Sequence, residues 1–98
     1  MGSLKNFQEI FNRRFGEIDR KSGDLFLLAV LIEEVGELAE SIRRGRGIEE
    51  ELADVLFMII SIANLKGVDL EEALRKKYVE REPSEVMKSW DDVERGEK

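Results

Sequence analysis

Five acidic residues of this chain recur in a pattern that can do chemistry. They are Glu33, Glu34 and Glu37 in the run Glu33-Glu34-Val35-Gly36-Glu37, then Glu51 and Asp54 in Glu51-Leu52-Ala53-Asp54. At about 100° per residue, Glu34 and Glu37 share one helix face, and so do Glu51 and Asp54, so each segment offers an i, i+3 carboxylate pair. Four carboxylates gathered in a partly dehydrated place repel one another unless a cation neutralises them. Hard oxygen donors without nitrogen or sulfur select Mg²⁺, Mn²⁺ or Ca²⁺. Asp54 opens a nearly unbroken apolar stretch, with Leu52, Val55, Leu56 and Met58 around it, which predicts burial and a need for a counter-charge. Glu49 and Glu50 are read as a solvated helix start.

Composition narrows the rest. The 98 residues hold 16 Lys or Arg against 22 Asp or Glu, a net charge of −6, and neither Cys nor His. Thiol nucleophiles, disulfides, histidine triads, thiolate or imidazole zinc sites and axial haem ligation by either residue are excluded by count. The di-iron helical bundles, which need Glu-x-x-His pairs, are excluded with them. The acidic balance opposes nucleic-acid binding. With 42% apolar and 39% charged residues, the sequence is that of a soluble globular domain of one small unit. The opening Met1-Gly2-Ser3-Leu4 has no basic-then-apolar leader pattern, and the apolar run Leu52–Leu65 is shorter than a membrane span. A cytoplasmic protein is expected.

Helical periodicity positions the carboxylates. Phe7, Ile10, Phe11 and Phe15 predict a first helix from about Leu4 to Phe15, ended by Gly16, with these side chains in the core. A second helix, capped at Ser22 or Asp24, runs to Arg43 or Arg44, where cations and Gly45 suit a C-terminus. Arg43, Arg44 and Arg46 around Gly45 and Gly47 also resemble a small phosphate-binding turn, although helix capping accounts for them more simply. A third helix runs from Ile48 to Lys66-Gly67. A fourth begins at the cap Asp69, with Glu72 at capping-box spacing, and ends before Pro83. Residues 83–98 read as a polar tail with at most one short helix, in which Trp90 folds back as a latch or stays disordered, with stacking on a base as the lesser alternative. The short turn after the second helix makes helices 2 and 3 antiparallel and brings the two acid pairs together. Leu25–Ile32 and Val55–Ile60 are apolar around more of the helix than one chain can cover, which predicts self-association through helices 2 and 3.

The text Leu31-Ile32-Glu33-Glu34-Val35-Gly36-Glu37-Leu38-Ala39-Glu40, followed by Glu50-Glu51-Leu52-Ala53-Asp54-Val55-Leu56-Phe57, resembles the MazG-like all-alpha nucleoside triphosphate pyrophosphohydrolases over about Phe7 to Arg81. The resemblance implies an all-α, four-helix MazG-like bundle over residues 1–82, with helices 2 and 3 at the core of a homodimer or a dimer of dimers. It implies Mg²⁺, with Mn²⁺ as a substitute, on Glu34, Glu37, Glu51 and Asp54, and Glu33 beside them. Lys77 and Arg81 match the family's phosphate-holding basic pair, while Arg75 stands where an asparagine is common and Glu82 precedes Pro83. The implied reaction converts a nucleoside triphosphate to the monophosphate and diphosphate. The rival expectations are a non-enzymatic helical interaction module and a nucleotide sensor without turnover.

Overall fold

The computed structural model describes residues 3–94, and every described element is helical. Helix α1 spans Leu4–Ser22, α2 Asp24–Arg44, α3 Ile48–Lys66, α4 Leu70–Leu74 and α5 Pro83–Glu94, with a π-helical turn at Arg75–Val79 after α4. The chain divides into two compact units, Met1–Val68 and Asp69–Lys98. No described helix is long and apolar enough to cross a membrane.

In the first unit α3 packs against both α2 and α1. Phe57 of α3 sits edge-on to Phe11 and Phe15 of α1, with ring centroids 5.0 and 5.1 Å apart. Buried Gln8 joins the same two helices by polar bonds. Its Nε2 donates to Asn64 Oδ1 at 3.1 Å and to the Val68 carbonyl at 3.0 Å, and Asn64 Nδ2 donates to the Gln8 carbonyl at 3.0 Å. Lys66 Nζ, at the end of α3, reaches Asp24 Oδ2, at the start of α2, at 2.7 Å. That contact shows α2 and α3 to be antiparallel and marks their register.

Helix α3 begins and ends as its sequence signals indicate, and α2 ends so, but α2 starts after Gly23 without the side-chain cap expected from Ser22 or Asp24, and α1 departs further. It continues through Gly16 to Ser22. Gly16 is buried, and a Cβ there would lie 2.7 Å from Asn12 Oδ1, so this glycine answers a packing requirement within the helix. The chain break falls at Gly23, where φ is +88°. Phe7 and Ile10, expected in the core, stay exposed at 44% and 37%, because no described element covers that side of α1.

The second unit also differs in detail. Asp69 caps α4 as expected, accepting from the Glu72 N–H at 3.1 Å. The helix then widens into the π turn, closed by the Glu80 N–H donating to the Arg75 carbonyl at 2.9 Å, and ends at Val79. The one short helix that the sequence allows in the polar tail is the twelve-residue α5. Pro83 suits a first helical position, and Glu85 reaches back to accept from the Glu82 N–H at 3.3 Å, half of a capping box. Trp90, expected to latch or stay disordered, is 53% exposed.

The polar interlock of α1 with α3 yields a stability prediction. Replacing Asn64 with Ala removes both bonds that it exchanges with Gln8 in a part-buried place, a change that costs about 1–3 kcal/mol. Urea unfolding of Asn64→Ala checks it; a midpoint equal to that of the parent chain would show that the interlock contributes nothing.

Candidate metal centre

The register that the Asp24–Lys66 contact marks determines which acids meet. Glu37 lies thirteen residues along α2 from Asp24, and Glu51 fifteen residues back along α3 from Lys66. At 1.5 Å per residue these are axial distances of about 20 and 22 Å, so the two glutamates stand at one level of the α2–α3 seam. One carboxylate oxygen from each of Glu34, Glu37 and Glu51 lies within 4.8 Å of the other two. Glu34 and Glu51 are half-buried, and Glu37 is exposed.

The cluster lacks a counter-charge of its own. Glu34 Oε1 and Glu51 Oε1 are shielded from solvent and have no hydrogen-bond partner. Ser61 Oγ, further along α3, shares that condition, but as a neutral hydroxyl it carries a far smaller penalty. Dehydration first, then the charges of Glu37, Asp54, Glu51 and Glu33, raise the Glu34 carboxyl above the usual glutamate range. Dehydration also leads for Glu51, followed by the charges of Glu37 and Asp54. Two shielded, unpartnered oxygens in an all-oxygen donor set suit a hard divalent cation, which removes the repulsion and satisfies both atoms.

The other candidates fall into different places. Glu33 is exposed beside Glu34 and acts on it through charge. Asp54 is exposed, contrary to the expected burial. Its apolar neighbours Leu52 and Leu56 are themselves 52% and 47% exposed, so no apolar cover encloses it. It stands outside the 4.8 Å set, although its charge reaches both Glu34 and Glu51. Lys77 and Arg81 belong to the second unit. Lys77 lies in the π turn with Nζ 5.7 Å from the centroid of the Tyr78 ring. Arg81 falls beyond the end of that turn and donates from Nη2 to the Glu85 carbonyl at 3.4 Å, so the two do not share a continuous helical face.

One acid passed over in the sequence proves informative. Glu40, one turn beyond Glu37, accepts from Arg43 through both oxygens and meets Arg44 Nε at 3.4 Å. These arginines hold its carboxyl below the usual range, Arg43 most strongly. The i, i+3 and i, i+4 spacings signal the pairing. On one helix, therefore, Glu40 is neutralised by the chain while Glu34 and Glu37 are not.

The raised carboxyls set a pH dependence. A glutamate that holds its proton more tightly in the folded state leaves stability intact below its unfolded pKa, and that stability is lost as pH rises through the folded value. In chelator, the melting midpoint therefore falls from pH 5 toward pH 7. Glu34→Gln should flatten this dependence and raise the midpoint at pH 7. A thermal series showing equal slopes for variant and parent would contradict the electrostatic account.

Comparison with known proteins bears on the same helices. The dATP/dGTP diphosphohydrolase of Cyanophage S-2L is 44% identical over 59 residues, which cover 60% of this chain and 52% of the relative. The Uncharacterized protein YpjD of Bacillus subtilis (strain 168) is 34% identical over 86 residues, with 72% of this chain and 76% of the relative covered. The nucleoside triphosphate pyrophosphohydrolase/pyrophosphatase MazG of Thermotoga maritima is 46% identical over 52 residues, half of this chain and 20% of that protein. The chain thus spans about half the length of the phage enzyme it resembles. No solved structure matches. Residues 23–86, from the turn before α2 into α5, match the family pattern and include every candidate residue, so the chain belongs to the MazG nucleotide pyrophosphohydrolase domain family.

Proposed function

We propose that the chain is a Mg²⁺-dependent nucleoside triphosphate pyrophosphohydrolase, with deoxynucleoside triphosphates among its substrates, acting in the cytoplasm on the nucleotide pool. The observation that carries this reading is the unpartnered cluster of Glu34, Glu37 and Glu51 in a chain of this family. The dATP/dGTP diphosphohydrolase name of the phage relative supports the deoxynucleotide class. Mn²⁺ is the expected substitute metal.

Glu34, Glu37 and Glu51 are the proposed metal ligands, with Asp54 completing the set by a side-chain rotation from its exposed position. A bound divalent cation would supply charge neutralisation for carboxylates and phosphates and a more acidic water. The chain's own groups do the rest. A carboxylate of the cluster orients a water and takes its proton as the water oxygen bonds to the α-phosphorus. The bond from that phosphorus to the bridging oxygen breaks, releasing diphosphate and the nucleoside monophosphate. Glu33 adjoins the reacting groups, and Lys77 and Arg81 balance the phosphate charge. The apolar faces left open on α2 and α3, with Leu25 77% exposed and Ile32 63%, support a homodimer or a dimer of dimers built on those helices.

Two measurements test this reading. Diphosphate release from a panel of ribo- and deoxyribonucleoside triphosphates should require Mg²⁺ and fall at least 100-fold in Glu37→Gln and in Asp54→Ala, with helical circular dichroism retained. Full activity in both variants would sink the site assignment, and nucleotide binding without release would mark a sensor. Sedimentation equilibrium at micromolar concentration should give at least twice the chain mass of 11.3 kDa; a monodisperse monomer would rule out the assembly.

A further inference from the structure

We propose that Arg44 is a second functional cation of this site, held on Glu40 in the ligand-free chain and released to bind the diphosphate end of the substrate. The inference rests on the pyrophosphohydrolase reading and adds a residue to it.

Three observations support it. The first is placement. Arg44 follows Glu37 by seven residues, so at 100° per residue it lies within about 20° of Glu37 around α2 and about 10 Å further along the axis. Helical side chains lean toward the N-terminus, which tilts Arg44 back toward the acid cluster. Arg43 is rotated well away from that edge. The second is the quality of the bonds to Glu40. Arg43 grips it at two points, through Nε at 3.1 Å and through Nη2. Arg44 makes a single contact of 3.4 Å from Nε to the same Oε2, and its side chain is 54% exposed. Arg44 can therefore leave without stranding the Glu40 charge, and an exposed pair of this kind contributes little. The third is charge. Cluster and substrate are both anionic, and one divalent cation does not cancel several carboxylates and a triphosphate. A guanidinium beside the seam supplies paired donors for phosphate oxygens.

In this arrangement Glu40 is a positioning residue. It keeps Arg44 from collapsing onto Glu37, which would block the metal ligands, and it competes with the phosphate for Arg44.

Calorimetric titration of the full chain tests the proposal with inorganic diphosphate at saturating Mg²⁺ and, separately, with Mg²⁺ alone. Arg44→Ala should weaken diphosphate binding about tenfold, with Mg²⁺ affinity and melting midpoint unchanged, and Arg44→Lys should recover part of the loss. Glu40→Gln should tighten diphosphate binding severalfold, an effect that disappears in the double variant with Arg44→Ala. Diphosphate affinity of Arg44→Ala within twofold of the parent chain overturns the proposal and leaves the function standing. A parallel loss of Mg²⁺ affinity in Arg44→Ala also overturns it, because the residue would then be supporting the cluster. A parent chain that binds neither Mg²⁺ nor diphosphate overturns the function and this inference together.

Discussion

The repulsion among glutamates at the α2–α3 seam is the interaction on which the rest of the molecule depends. Antiparallel packing places Glu37 and Glu51 at one level, and the i, i+3 spacing brings Glu34 to the same point. Two of the oxygens are shut off from water without a partner. Each of these conditions opposes folding, so the packing that enforces them must be favourable for other reasons. The Phe11–Phe57–Phe15 cluster and the reciprocal Gln8–Asn64 bonds hold α1 to α3 away from the acids. Buried Leu27, Met58, Ile60 and Ala63 contribute the hydrophobic term. Local strain of this kind, supported by ordinary packing elsewhere, is what a preorganised binding site requires.

Helix α2 treats its acids in two ways within two turns. Glu40 is neutralised by Arg43 and Arg44, while Glu34 and Glu37 are left to repel. The arginines also suit the negative end of the helix dipole and precede the left-handed Gly45, so one short segment ends the helix and confines the uncompensated charge to the seam. Without those arginines, a further carboxylate would join the cluster and spread the negative field down the helix.

The core of the first unit is small for the apolar content of its helices. Leu25, Phe26, Ile32 and Val35 on α2 remain between 47% and 77% exposed, and Leu52 and Leu56 on α3 about half so. Asp54 lies among these uncovered residues. Apolar cover over the opening turns of α3 would dehydrate Asp54 and strengthen its interaction with any cation on Glu34 and Glu51. Whatever covers this stretch of α3 would therefore act on the acid cluster as well.

The sequence by itself determined the features with local causes. Helices 2 and 3, their glycine ends, the Asp69 cap and the two acid pairs follow from spacing and from side chains within one or two turns. The i, i+3 rule placed Glu34 beside Glu37 because helix geometry alone sets that distance. Only the tertiary structure decided what depends on distant neighbours. Gly16 ends a helix by propensity but lies buried within one, and α1 runs on to Ser22. Asp54 reads as buried from its apolar neighbours but is exposed, as are Leu52 and Leu56 beside it. The π turn stands where the sequence reads as a plain helix end. Glu51 joins the α2 pair, and Asp54 does not, because the packing of α3 on α2 and α1 sets the rotation of one helix against the other. That rotation depends on side chains forty residues apart in the chain, and no short window of sequence contains both.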